Sequence, residues 1–163
     1  MKISAVIVSR NDGYGGHLNE RATYCFNSAI DTYDEVIYVD WNSPTHSLLW
    51  DIKDNLQLKG NLKHFVIPPS AASQLTGYDP QAQLCCEVLA RNIGISRATG
   101  DYIVSTNIDI IHPKREDIEN IINECRQNGW SEKTIKRKMK ITLAFISFAT
   151  TKILAINLVK LSL

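Results

Sequence analysis

Short β-branched apolar runs alternate along this chain with longer stretches in which apolar residues return every three or four positions. Ile3 to Ser9 is a run of the first kind and predicts a buried strand. After the loop RNDGYGG, the residues Leu18, Ala22, Cys25, Phe26, Ala29 and Ile30 recur at helical spacing. Val36 to Val39 predicts a second strand that ends at Asp40. Ser43 and Pro44 suit the N-cap and first turn of a helix carrying Leu48, Leu49, Ile52 and Leu56. Phe65 to Ile67 predicts a third strand, stopped by Pro68 and Pro69, and a polar loop to about Pro80. Leu84, Cys85, Val88, Leu89 and Ile95 mark the buried side of the next helix, with Gly100 as its end. Tyr102 to Ser105 predicts a fourth strand. After Pro113, an amphipathic helix with Ile118, Ile121, Ile122 and Cys125 is closed by Gly129, and Glu116 and Asp117 in its first turn suit the helix dipole.

Strand and helix in strict alternation predict an α/β fold: a Rossmann-like, mostly parallel sheet with flanking helices, strand order 3-2-1-4 and right-handed crossovers. Residues 1–130 are expected to form this domain and residues 131–163 a basic, apolar C-terminal tail.

Composition changes the picture in one respect. The chain has 163 residues, 44% hydrophobic and 21% charged, with a net charge of +1, so the whole carries no electrostatic signature for nucleic acid. That average hides a split. Residues 1–130 hold 11 basic and 16 acidic side chains, a net of −5, while residues 131–163 hold 7 and 1, a net of +6. The basic segment KTIKRKMK leads into an apolar stretch whose longest uncharged run, Ile141 to Thr151, is 11 residues. A bilayer span needs about 20. Three readings of the tail stay open: a basic amphipathic helix at an anionic membrane surface, a segment packed on the sheet, or a truncated or frame-altered end. The abrupt change of charge favours the last. Cys25, Cys85, Cys86 and Cys125 form no C-x-x-C pair and no zinc pattern, and read as free thiols in a reducing compartment. The run Ile3 to Val8 is too short for a secretory leader. A cytoplasmic protein, in peripheral contact with a membrane at most, is expected.

The candidate chemistry lies where the strands end. Open parallel sheets bind ligands beyond the carboxyl ends of their strands. Ser9, Arg10, Asn11 and Asp12 stand there on the first strand, Asp40 and Asn42 on the second, Asn107 and Asp109 on the fourth. Each has a plain structural reading beside the functional one. Asp40 suits a cap for the turn that follows it, Asn11-Asp12-Gly13 suits a tight turn, and Arg91 is spaced to pair with Glu87 one helical turn earlier. His17, His46 and His64 suit surface or turn positions, and His112 is a weak metal candidate. Asn107 and Asp109 resist the plain reading best, because polar groups on a buried apolar strand need partners.

GYGG followed by Asp40 mimics a dinucleotide-binding fingerprint, but Leu18 takes the place of the third glycine, so a nicotinamide-dependent enzyme ranks low. EVIYVDWNSP and LARNIGISRATGDYIVSTNID resemble a different group, the GT-A fold glycosyltransferases of the large inverting family 2-like set, and VSRNDGYGG resembles a subgroup of that fold. The resemblance covers about residues 3–128. It implies that Asp40 contacts the base of a sugar nucleotide and that Asp109 holds Mn²⁺ or Mg²⁺ bridging the diphosphate. It also places Ser9, Arg10, Asn11, Arg91 and Asn107 in the donor site. Asn107 stands where the family has the first acid of D-x-D; its carbonyl oxygen can ligate but brings no charge.

The implied reaction is transfer from a nucleoside-diphosphate sugar, a UDP-sugar first among them, to an acceptor the sequence does not define. Charge developing on the leaving diphosphate is neutralised by the cation as a Lewis acid, held by hard oxygen ligands. Inversion needs a general base for the acceptor hydroxyl. The 54 residues after Asp109 contain nothing resembling the acceptor half, so no catalytic residue is assigned. The alternative is a non-catalytic nucleotide-binding module derived from such an enzyme.

Overall fold

The structure, a computed structural model, describes residues 1–127 and 157–159. Five strands, β1 (Ile3–Ser9), β2 (Glu35–Trp41), β3 (Leu62–Ile67), β4 (Tyr102–Asn107) and β5 (Asn157–Val159), form one sheet in the order β3-β2-β1-β4-β5. The first four are parallel, in the expected order 3-2-1-4, and β5 runs antiparallel along β4. The helices are α1 (Leu18–Thr32), α2 (Leu48–Ile52), α3 (Pro69–Thr76), α4 (Glu87–Ile95) and α5 (Arg115–Gln127).

Because successive strand residues point to opposite faces, β1 and β2 feed two cores at once. Ile3, Ala5, Ile7, Val36 and Tyr38 pack with Leu18, Phe26 and Ile30 of α1 and Ile118 and Ile122 of α5. Val6, Val8, Ile37, Val39 and Trp41 pack on the other face with Ala72 of α3 and Ala90 of α4. Both central strands are buried along their whole length, as their continuous apolar runs require.

Five local expectations need correction. Ser43 does not cap α2: Ser47 does, its side chain accepting from the Leu49 N–H, and the helix gives way to a 3₁₀ turn at Lys53–Asn55 before Leu56. Phe65–Ile67 is the second half of a longer strand. Pro69 does not open a loop but occupies the first turn of α3, where the missing N–H costs nothing, and Gly77 in a left-handed conformation ends that helix. The α4 helix buries Ala90 and Gly94 deepest, with Leu89 and Ile95 partly buried against the same core as expected, while Val88 is 70% exposed and Leu84, which precedes the helix, 48%. Gly94 sets this: a Cβ there would lie 2.4 Å from Val6 Cγ1, so the helix approaches the sheet on its small residues. The helix stops at Ser96, and Gly100 serves the strand instead, its N–H donating to Ser4 Oγ. In α5 the buried residues are Ile118, Ile121, Ile122 and Cys125, as the periodicity predicts. Gly129 and nearly all of the tail, residues 128–156 and 160–163, lie outside the described residues.

Candidate functional site at the carboxyl ends of the strands

The parallel register sets the strand ends side by side: Ser9 lies opposite Asp40, and Val8 opposite Asn107. This is where the strand order reverses, between β1 and β4, and where the predicted residues gather in three groups.

The first group is built around Asp40, which is fully buried. Its Oδ2 accepts from the Tyr38 hydroxyl (2.8 Å), Ser47 Oγ (2.7 Å) and the Leu48 N–H (3.0 Å), and its Oδ1 from Ser43 Oγ. With Tyr38 donating to the carboxylate, Ser9 Oγ donates to the Tyr38 oxygen at 2.8 Å. Burial and then the Asp40 charge keep the Tyr38 phenol protonated, well above its ordinary range. His64 stacks on the Tyr38 ring at 5.1 Å and meets Ser47 Oγ at 2.8 Å; burial lowers its pKa despite the charge of Asp40. Asn11 joins through its backbone N–H to Ser43 Oγ (2.8 Å) and its Nδ2 to Asp51 Oδ2 (2.8 Å). Asp40 therefore folds the turn from β2 into α2.

The second group ties down the segment before α4. Arg10, buried, donates from Nη1 to the Leu84 carbonyl (3.0 Å) and faces Asp12 across 3.5 Å. Asn42, in a left-handed conformation at φ 56°, donates from Nδ2 to the carbonyls of Pro80 (2.8 Å) and Leu84 (3.0 Å).

The third group contains the two residues that opened the question. Asn107 is satisfied by Arg91, whose Nη2 donates to Asn107 Oδ1 and to Glu87 Oε2 (3.1 Å) while Nη1 donates to Ser105 Oγ (2.8 Å) and the Thr106 carbonyl (3.0 Å). The structure thus includes the expected Arg91–Glu87 pair and adds a clamp on the end of β4. Asp109 stands apart. Its side chain is 38% exposed, and its partner is Arg21 Nη1 at 3.6 Å, an ion pair beyond hydrogen-bond distance. Arg21 also reaches back into the glycine loop, where Gly13, Gly15 and Gly16 hold φ between 67° and 74°: Nε donates to the Gly16 carbonyl (3.0 Å) and Nη2 to that of Tyr14.

Sequence reasoning placed the strand-end residues but missed Tyr38, Ser47 and Arg21. A signal existed for Arg21: a cation in the first turn of a helix opposes the dipole and asks for a partner. His112 proves to be a core residue. It bonds the Tyr33 hydroxyl at 3.0 Å and lies 3.8 Å from Cys25 Sγ, and burial depresses it to about 4.

Five buried side-chain polar atoms lack a hydrogen-bond partner among the described residues, and four belong to this end of the sheet: Arg10 Nε, Trp41 Nε1, Thr106 Oγ1 and Gln83 Oε1. Buried polar groups are almost always satisfied, so their gathering at one end needs explaining. An apolar groove of about 180 Å³ lies elsewhere, between α2 and β3, lined by Leu49, Leu56, Leu62 and His64, and holds none of these atoms.

No cluster of three His, Cys, Asp or Glu side chains among the described residues forms a ready metal site. A Mg²⁺-class cation needs only one or two carboxylates when a diphosphate and water supply its other oxygens. Asp109 offers one, exposed and loosely paired. That donor fits a cation arriving with a diphosphate, and on its own gives a cation a single, weak protein ligand.

The fold is a Rossmann-like α/β one, and polar side chains gather at its topological switch point. No family model and no curated protein sequence matches the chain. Among solved structures, S. aureus TarS is 18% identical with a TM-score of 0.48, over 78% of this chain and 33% of that one. S. aureus TarS in complex with UDP gives 18% and 0.48, over 77% and 33%. A CMP:2-keto-3-deoxy-manno-octonic acid synthetase complexed with CTP gives 15% and 0.35, over 79% and 49%. The chain spans about a third of the TarS structures' length. At these identities the likeness is one of fold. No helix among the described residues is long and apolar enough to cross a membrane.

Proposed function

We propose that the crevice binds the nucleoside diphosphate of a sugar donor, a UDP-sugar first among the candidates, and that glycosyl transfer is the reaction it serves. The observation that carries this is the convergence of Arg10, Asp40, Asn42, Asn107 and the part-exposed Asp109 at the carboxyl ends of three adjacent parallel strands, where the buried Trp41 Nε1 also lacks a hydrogen-bond partner among the described residues. Ligands of open parallel sheets bind at such a switch point, and polar side chains from adjacent strand ends are what a nucleotide would meet there. Asp109, at the crevice's exposed edge, is the carboxylate to which a divalent cation on the diphosphate would bind.

In this reading the roles divide by exposure. Asp40 and Tyr38 hold Ser9 and the β2 turn in place from below. Arg10 and Asn42 fix the segment around Leu84 beside the crevice, and Arg91 orients Asn107 so that the end of β4 is preorganised. The cation, when bound, supplies Lewis-acid stabilisation of the leaving diphosphate. Deprotonation of an acceptor hydroxyl is assigned to no residue.

Titration of the protein with UDP and UDP-sugars, with and without Mn²⁺, followed by calorimetry and by amide NMR shifts, tests the reading. UDP binding with shifts at Arg10, Asn42 and Asn107 is expected. Slow metal-dependent hydrolysis or transfer that disappears in Asp109→Ala supports the transferase, whereas binding without turnover leaves a nucleotide-binding module. NADH binding without UDP binding overturns it.

A further inference from the structure

We infer that Arg21 makes divalent-cation binding at Asp109 conditional on the nucleotide: in the free protein its guanidinium holds the carboxylate, and a metal diphosphate displaces it. The inference rests on the nucleotide reading above.

Three contacts converge on this one side chain. Nη1 faces Asp109 Oδ2 at 3.6 Å, Nε donates to the Gly16 carbonyl at 3.0 Å, and Nη2 donates to the Tyr14 carbonyl. The loop lies tightly against it, since a Cβ on Gly15 would come within 3.0 Å of Nη2. Arg21 is not there for α1, because a cation in the first helical turn opposes the dipole. The carboxylate and the loop carbonyls compensate that placement.

A bare cation approaching Oδ2 meets a positive group already on the oxygen it needs. The described residues hold no group of three or more His, Cys, Asp or Glu side chains that would offer the cation another site. A nucleoside diphosphate changes the balance. Its phosphates cancel the charge of the cation and give the guanidinium oxygens to pair with in exchange for Asp109. Because Arg21 keeps its two bonds to the Tyr14–Gly16 backbone, the displaced guanidinium carries the loop with it. Cation and nucleotide are then positively coupled, and by linkage each raises the other's affinity by the same factor.

Mn²⁺ binding followed by electron paramagnetic resonance, alone and with saturating UDP, tests this on the full chain. Four proteins suffice: the unaltered one, Arg21→Ala, Arg21→Gln and Asp109→Asn. Arg21→Gln retains amide donors for the loop carbonyls while removing the charge, so a folding defect in Arg21→Ala does not decide the result. Without UDP, both Arg21 variants should bind Mn²⁺ about two- to fivefold more tightly than the unaltered protein, the range of a part-exposed ion pair. The gain in Mn²⁺ affinity on adding UDP should shrink in both variants, and Asp109→Asn should bind no Mn²⁺ at this site in either condition. Equal Mn²⁺ affinity for the unaltered protein and Arg21→Gln, in the presence of normal UDP binding, overturns the inference and leaves the nucleotide reading standing. Absence of UDP binding from all four proteins removes both.

Discussion

Glu35 begins β2 and Asp40 nearly ends it, and both carboxylates are buried. At the amino end of the sheet Glu35 accepts from Lys63 Nζ (2.6 Å), Ser4 Oγ (2.6 Å) and the Thr99 N–H (2.8 Å). Nearby, Arg115 ties Asp34 (2.7 Å) to the Met1 carbonyl (2.9 Å). This end is closed by charge matched to charge. At the carboxyl end Asp40 takes only neutral donors, a phenol, two serines and a backbone N–H. Around it lie most of the buried polar atoms without partners, and beyond them an acid that is still exposed. One strand thus joins an end in which polar groups are matched to one another to an end where some of them are not. Places where local rules are broken without structural gain are the places to look for function.

The largest blow to this contrast falls on the amino end. Gly100 has no room for a side chain: a Cβ would lie 2.7 Å from the Ser4 backbone nitrogen and 2.6 Å from Ser4 Oγ. Gly100→Val should cost about 3 kcal/mol or more, because the clash is with backbone that cannot yield. Chemical denaturation reads the loss. A variant as stable as the parent would mean that this end is less tightly knit than its hydrogen bonds suggest.

Asp40→Ala comes next, at the opposite end. Four donors would lose their acceptor inside the core, a loss of about 2–3 kcal/mol. The same measurement separates two accounts of Asp40. A stable variant that fails to bind nucleotide makes Asp40 a ligand contact, and an unstable one makes it the organiser of the turn, which is the expected result.

Glu35 gives a smaller effect with a pH signature. Burial alone would raise its carboxyl, but hydrogen bonds from Lys63, Ser4 and Thr99 outweigh burial and hold it at about 2. Its folded value is depressed below the ordinary 4.5, so its stabilisation is fully present above about pH 4.5 and fades as pH falls toward 2. Glu35→Gln should therefore lose about 1–2 kcal/mol at neutral pH, and the difference from the parent should vanish at acid pH. A difference that persists at pH 2 would remove the charge from the account.

How much of this was legible in the sequence follows the same division. The strands and their order could be read because short, continuous β-branched runs alternating with helical periodicity suit buried parallel strands, and α5 because its isoleucines keep strict helical spacing. The α3 helix was hidden by a pair of prolines that signals a stop and also suits a start. The buried face of α4 was legible only in part: Leu89 and Ile95 do pack on the core, but its centre is Ala90 and Gly94, and Val88, which hydrophobicity favours, faces solvent. In the site, the positions of Asp40, Asn107 and Asp109 were visible from the strand pattern, but their states were not. Whether an acid is buried among four donors or exposed beside one cation depends on Tyr38, Ser47 and Arg21, and the last of these meets Asp109 only through tertiary structure.

Asp109 should give the smallest change in stability and the largest change in binding. Its ion pair with Arg21 is part-exposed and at 3.6 Å, so Asp109→Ala should stay within about 0.5 kcal/mol of the parent in denaturation. If the carboxyl end of the sheet is the ligand end, that nearly silent substitution must still abolish the Mn²⁺-dependent part of UDP binding, while Glu35→Gln, more damaging to the fold, leaves it intact at neutral pH. The reverse ranking, with binding following stability across the two variants, would show that nucleotide affinity reports only the integrity of the sheet. Opposite rankings of the same two substitutions in stability and in binding are what the two differently built ends require.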